Sequence, residues 1–135
     1  MQKLNQSYIK SVVKKALDED LKPRGDITTN LIKFKNKKAK AQIVAKQDGI
    51  IAGLDFCKTA FKLVGKETIF ISKVKDGAKV KKNKVIAEIK AKTKTILIAE
   101  RTALNFLNHT SGIATLTNQF KQKVNKKTKI CCTRK

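Results

Sequence analysis

Tryptophan is absent, aromatic residues make up only 5% of the 135, and there is a single proline. Large rings therefore cannot build the interior, and a core must come mostly from Ile, Leu, Val and Ala. The 41% hydrophobic content suffices for one modest domain and argues against disorder. Cysteine is also scarce: Cys57, Cys131 and Cys132 make neither an even set nor a CxxC pair, which argues against a disulfide framework or a zinc site and fits a reducing cytoplasm. No run approaches the ~20 apolar residues that a membrane span requires, and the N-terminus reads as a polar amphipathic helix rather than an apolar leader. The expectation is a cytoplasmic protein with no membrane partner.

Carboxylates are few as well, 10 against 32 basic residues, for a formal charge of +22. Such a field attracts nucleic acid, anionic lipid or small anionic substrates without choosing among them. The lysines are spread along the whole chain, whereas nucleic-acid proteins more often concentrate arginine and stacking aromatics in one stripe. A diffuse lysine bias with no nucleic-acid partner is the expectation. Only Arg24, Arg101 and Arg134 interrupt the lysines. Arginine supplies a planar fork matched to carboxylate or phosphate, lysine only a point charge.

The hydrophobic pattern then divides the chain into elements. Ile9, Val12, Val13, Ala16 and Leu17 form a helical stripe between Asn5 and Asp18, with Asn5 or Ser7 able to cap it. Pro23 to Asp26 reads as an ordered turn. Ala39, Ala41, Ile43 and Ala45 alternate as a strand, Asp48-Gly49 turns, and Gly53 opens a helix carrying Leu54, Cys57, Ala60, Phe61 and Val64 that Gly65 is placed to end. Ile69, Ile71 and Val74 read as the next strand. From Val74 to Ile89 the pattern resembles the hammerhead hairpins of barrel-sandwich hybrid domains, with Asn83 standing where a glycine is usual. Two helices are expected after that, Ile98 to Thr110 and Ile113 to Val124. In the first, Ala99, Ala103, Phe106 and Leu107 pack inward while Arg101, Asn105 and His109 share the other side. Ile130, Cys131 and Cys132 read as a short buried strand.

Three segments carry a resemblance to one family. Ala16-Leu17-Asp18-Glu19-Asp20-Leu21 with Gly25-Asp26-Ile27-Thr28-Thr29, the run Glu100 to Leu107 with His109 and Ser111 to Thr115, and Cys132-Thr133-Arg134-Lys135 resemble, in order and spacing, the N-terminal part of quinolinate phosphoribosyltransferases. The resemblance implies an α+β fold: a hammerhead-type sandwich over residues 1–112, then the first helix and strand of a truncated α/β barrel over 113–135. It implies a homodimer or higher homo-oligomer acting on quinolinate and phosphoribosyl pyrophosphate. Arg101 would bind quinolinate across the subunit boundary. Thr133, Arg134 and Lys135 would bind it at a barrel strand end, with Lys135 also the catalytic group. Magnesium is the implied cofactor, its ligands expected in barrel segments this chain does not contain, so no metal or cofactor ligand is assigned here and the fragment is expected to be inactive alone.

For the other candidates a structural role is expected. His109 reads as packing or bonding a backbone carbonyl, Glu19, Asp20 and Asp26 as capping and turn residues, and Cys131 and Cys132 as strand packing. Two rival functions stand further off. A basic RNA-binding protein would owe its affinity to the net charge. A carrier-type module would need a modifiable lysine at the hairpin tip, near Lys81 and Lys82.

Overall fold

The computed structural model describes residues 4–21, 37–125 and 127–131. The first helix, α1 (Gln6–Leu21), starts where the pattern demands. Asn5 settles the capping alternatives, because its Oδ1 accepts the Ser7 amide at 2.8 Å. Ile9, Val13 and Leu17 of the stripe are buried. The turn at 23–26, with Arg24 and Asp26, lies outside the described residues.

Five short strands follow: β1 (Lys38–Val44), β2 (Gly49–Ile50), β3 (Ile69–Ser72), β4 (Lys79–Val80) and β5 (Val85–Lys92). They form two antiparallel sheets, one of order β1-β5-β3 and one pairing β2 with β4. Ala39, Ala41 and Ile43 stand opposite Ala91, Ile89 and Ala87, and this face turns toward the helices. The opposite face is polar, with Lys38 facing Lys92 and Lys40 facing Lys90. Strand β3 departs from the expected register. Phe70 pairs with Ile89 on the inner face, where its ring lies 6.1 Å from that of Phe61, while Ile69 and Ile71 face outward and are exposed. With strict alternation only one set can face the core, and the larger apolar ring takes it.

Helix α2 (Leu54–Val64) begins at Gly53, whose φ of 93° and ψ of 20° lie in the left-handed region. No neighbouring side chain caps it. The cap comes instead from the distant Asp76, whose two carboxylate oxygens accept the Gly53 and Leu54 amides, each at 3.1 Å. The Asp76-Gly77 turn is thereby tied to the start of α2, with the Gly77 amide bonded to the Ile51 carbonyl and Gly77 itself at φ 87°. Asn83 at φ 69° adopts the left-handed backbone expected of the glycine it replaces. Gly65 ends α2 in an extended conformation, not a left-handed one. Its missing side chain serves packing, since a Cβ there would come within 2.6 Å of Thr95.

The last element corrects the sequence reading most. In place of two helices there is one, α3 (Thr93–Lys123), of 31 residues. The boundary expected at 112/113 falls inside it. A glycine within a helix costs only about 1 kcal/mol relative to alanine, too little to stop a helix held by tertiary bonds on both sides. Lys121 and Lys123 in its last turn suit the negative end of its dipole. Beyond it, Ile130 and Cys131 are exposed and belong to no strand, against the expected buried strand. Among the described residues no strand lies beside this segment to pair with it.

Helices α2 and α3 lie against one face of the larger sheet and α1 packs on those two helices, and Ile9, Val13, Cys57, Phe61, Ile89, Ala103 and Leu107 belong to the one core that results. The result is an α+β domain with one helix projecting past its body.

Candidate functional site

Arg101, the one substrate-binding candidate among the described residues, lies on α3, so the site depends on how that helix is held. Four contacts hold it. At its start, the Thr93 amide and hydroxyl both donate to the Lys37 carbonyl, at 2.9 and 3.0 Å. In its middle, Thr102 donates to Asp20 Oδ2 at 2.8 Å, tying α3 to the end of α1. The stacked rings of Phe56 and Phe106, 5.2 Å apart, tie it to α2.

The fourth contact explains the Ser-Gly-Ile-Ala-Thr run. Strand β2 is bonded to β4 along one edge, where the Ile51 amide reaches the Ala78 carbonyl at 3.0 Å. Among the described residues its other edge has no strand beside it. There the Ile50 amide donates to Thr115 Oγ1 at 2.8 Å and the Ala52 amide to Ser111 Oγ at 3.0 Å. Two residues of strand advance about 6.6 Å and four residues of helix 6 Å, so hydroxyls at i and i+4 can serve alternate amides of a strand. The helix lies in the place of a missing strand. Thr110 joins the same edge, its Oγ1 2.5 Å from the Ala52 carbonyl oxygen. Close approach requires small neighbours: a Cβ on Gly49 would meet Thr115 Oγ1 at 2.9 Å, and one on Gly53 would overlap Thr110 Oγ1. Sequence reasoning missed this latch. Its signal was present as hydroxyl residues spaced four apart in a helix otherwise poor in reasons for them.

Held in this way, α3 presents Arg101, Asn105 and His109 on a face away from the core, all three exposed. None has a hydrogen-bond or ionic partner among the described residues. His109 therefore does not take the expected packing role. With Glu19, Asp20 and Asn105 it borders an open groove of about 750 Å³ between α1 and α3. Asp20 is spent on Thr102, which agrees with the structural role expected of it. Glu19 borders the groove without a cap or turn to make, and Asp26 lies outside the described residues.

Thr133, Arg134 and Lys135 also lie outside the described residues, so Arg101 stands here without its expected companions. Among the described residues no three His, Cys, Asp or Glu side chains are placed to hold a metal ion, and no step is assigned to magnesium on this chain. Cys57 is no nucleophile: burial pushes its thiol up to about 12. At the hairpin tip, Lys81 is engaged with Asp48 at 2.7 Å. That ammonium, with the Lys82 amide, holds the Asp48 carboxyl below the ordinary carboxylate range.

Comparison with known proteins places this arrangement. The sequence model described as Quinolinate phosphoribosyl transferase, N-terminal domain, matches residues 26–111. The chain belongs to the quinolinate phosphoribosyltransferase family. Its relatives in this family include a probable nicotinate-nucleotide pyrophosphorylase (carboxylating) of Methanocaldococcus jannaschii, 43% identical over 132 residues, which span 95% of this chain and 44% of that protein. A protein of the same description from Bacillus subtilis is 35% identical over 98% of this chain and 45% of its own length. Among solved structures, the nicotinate-nucleotide pyrophosphorylase of Francisella tularensis superposes with a TM-score of 0.83 at 32% identity, covering 89% of this chain and 42% of that one. The chain thus spans less than half the length of the quinolinate phosphoribosyltransferase relatives it matches. No helix among the described residues is long and apolar enough to cross a membrane.

Proposed function

We propose that this chain supplies the N-terminal part of an enzyme that joins quinolinate to phosphoribosyl pyrophosphate, and that Arg101 contacts quinolinate in a neighbouring subunit of a homo-oligomer. In that reaction the pyridine nitrogen forms a bond to ribose C1 as pyrophosphate leaves. The 2-carboxylate then departs as carbon dioxide, and the electron pair left at C2 is stabilised by the positive ring nitrogen until a proton replaces it. Both substrates are dense anions, so the protein's task is positioning and charge complementarity rather than covalent catalysis. Magnesium, when bound, would neutralise pyrophosphate charge.

The observation that carries the reading is Arg101 itself: an arginine in a lysine-dominated chain, exposed and unpaired among the described residues, on a rigid helix inside the family match. A guanidinium left free in its own subunit is available to a ligand held by another. In the family, Thr133, Arg134 and Lys135 supply the other contacts to the dicarboxylate, with Lys135 the catalytic group, and we carry those roles over. The test joins the chain to the C-terminal part of the Methanocaldococcus jannaschii relative and follows carbon dioxide release from carboxyl-labelled quinolinate. The chain alone is expected to release none. The joined protein should turn over, and Arg101→Ala should lower kcat/KM for quinolinate by about a hundredfold, as for a lost charge-assisted contact. Unchanged turnover in that variant would sink the assignment.

A further inference from the structure

In sequence the lysines are spread along the whole chain, but the register of the larger sheet gathers four of them. Lys38 stands opposite Lys92 and Lys40 opposite Lys90, on the face turned away from the helices. Partners across a strand pair have Cβ atoms about 5 Å apart, and alternate residues of one strand lie about 6.6 Å apart, so the four side chains rise from one small rectangle. All four are exposed. Among the described residues their ammonium groups take part in no hydrogen bond or ion pair. Elsewhere lysine is set against a carboxylate: Lys73 meets Glu88 at 3.1 Å and Lys81 meets Asp48 at 2.7 Å.

This arrangement works against the fold, since like charges directly opposite each other repel. The carboxylate that the strands carry on this face, Glu88, is engaged by Lys73, with Gln42 Nε2 at 3.5 Å. The hydrogen bond from Lys73 is the main cause that holds the Glu88 carboxyl below its ordinary range, and Lys90 adds to it from a distance. At the lysine end of the sheet an open groove of about 630 Å³ is bordered by all four lysines and by Lys66, against a single carboxylate, Glu67. Five positive charges against one negative focus a field that draws in an anion.

The shape of the patch selects among anions. Its charges run in two rows along the strands, a track for a linear polyanion rather than a ring around one point. Lysine, a point charge without a fork, suits phosphate contacts that read no base. Beside the track Ile69 and Ile71 of β3 are 55% and 37% exposed and offer bases an apolar surface. A bilayer would press on the whole face, Glu88 included, and would need its apolar contacts at the centre of the lysines, not at one edge. We propose that the outer face of the β1-β5-β3 sheet binds the phosphodiester backbone of single-stranded RNA without sequence preference, with Lys38, Lys40, Lys90 and Lys92 as its contacts. Arg101 lies on α3, which packs against the other face of this sheet, so this second binding activity stands independently of the function proposed above.

The chain is titrated against a fluorescein-labelled single-stranded RNA of mixed sequence, about 12 nucleotides long, and anisotropy is followed between about 50 and 300 mM potassium chloride. Each lysine–phosphate contact on a single strand contributes about 0.7 to the slope of log K against log salt. The sheet variant K38Q/K40Q/K90Q/K92Q should therefore lose about 2.8 of that slope and bind at least about thirtyfold more weakly at about 100 mM salt. A control variant, K10Q/K14Q/K121Q/K123Q, removes the same charge from exposed positions on α1 and α3 and should change the slope by less than about 0.7. The sheet variant should unfold at no lower temperature than wild type, because a repulsion has been removed. If it fails to fold, Lys40→Gln and Lys90→Gln singly carry the test, each expected to lower the slope by about 0.7. Equal losses in the two quadruple variants overturn the proposal, since net charge and not the face would then bind. So does RNA affinity that the sheet variant retains in full, or a wild-type chain that binds no RNA. Co-sedimentation with phosphatidylcholine vesicles containing phosphatidylserine should be the same for both quadruple variants, and a loss confined to the sheet variant overturns the proposal by naming a bilayer as the occupant.

Discussion

Thr115 accepts a hydrogen bond from the Ile50 amide and donates one to the Ser111 carbonyl at 2.7 Å, so one hydroxyl satisfies a strand edge and its own helix together. Removing it leaves a partly buried amide without a partner, at a cost of about 1–3 kcal/mol. Thr115→Val, which keeps the shape and loses the acceptor, is expected to destabilise the chain by that amount in urea unfolding, and Thr115→Ser to recover most of it. A valine variant within about 0.3 kcal/mol of wild type would show that the latch is not structural. At this scale the sequence revealed residue types but not partners. Asn5 was legible as a cap because the Ser7 amide that donates to it lies two residues away. Asp76 was not, because the helix it caps begins 22 residues earlier in the chain.

The three-stranded sheet sets Lys40 directly opposite Lys90 and Lys38 opposite Lys92 on its outer face. Like charges across a strand pair repel, and an opposite pair in the same place is worth about 0.2–1 kcal/mol. Lys40→Glu is therefore expected to raise stability by that order at low ionic strength, with the gain shrinking as salt is added. Equal or lower stability at low salt would contradict the register. Strand β1 was legible from its alternation because Lys38, Lys40 and Gln42 make one face polar. Strand β3 was not, since Ile69, Phe70 and Ile71 are all apolar and period alone cannot say which of them faces in. The unbroken α3 escaped for a related reason. Ser111-Gly112 looks like a helix end in sequence, and only the bonds from Ser111 and Thr115 to β2 show why the helix continues.

For the molecule as a whole, a formal charge of +22 on 135 residues makes the compact state repel itself. Raising sodium chloride from about 20 mM to about 500 mM shortens the screening length from tens of ångströms to a few, and the unfolding midpoint should rise by several degrees. A midpoint that falls would mean that ion pairs such as Lys73 with Glu88, 3.1 Å apart, outweigh the repulsion. Composition and periodicity by themselves determined an aliphatic core and a succession of helices and short strands, while the order of its short motifs pointed to its family and, through that resemblance, to an α+β fold. These are properties of residue type and local spacing, which the chain carries before it folds. The tertiary structure alone decided which polar side chains meet: Asp76 with α2, Asp20 with Thr102, the hydroxyls of α3 with β2. It also decided that Arg101 stands on an exposed helical face. Such pairings depend on distances through space between residues far apart in sequence, and those distances do not exist until the core has closed.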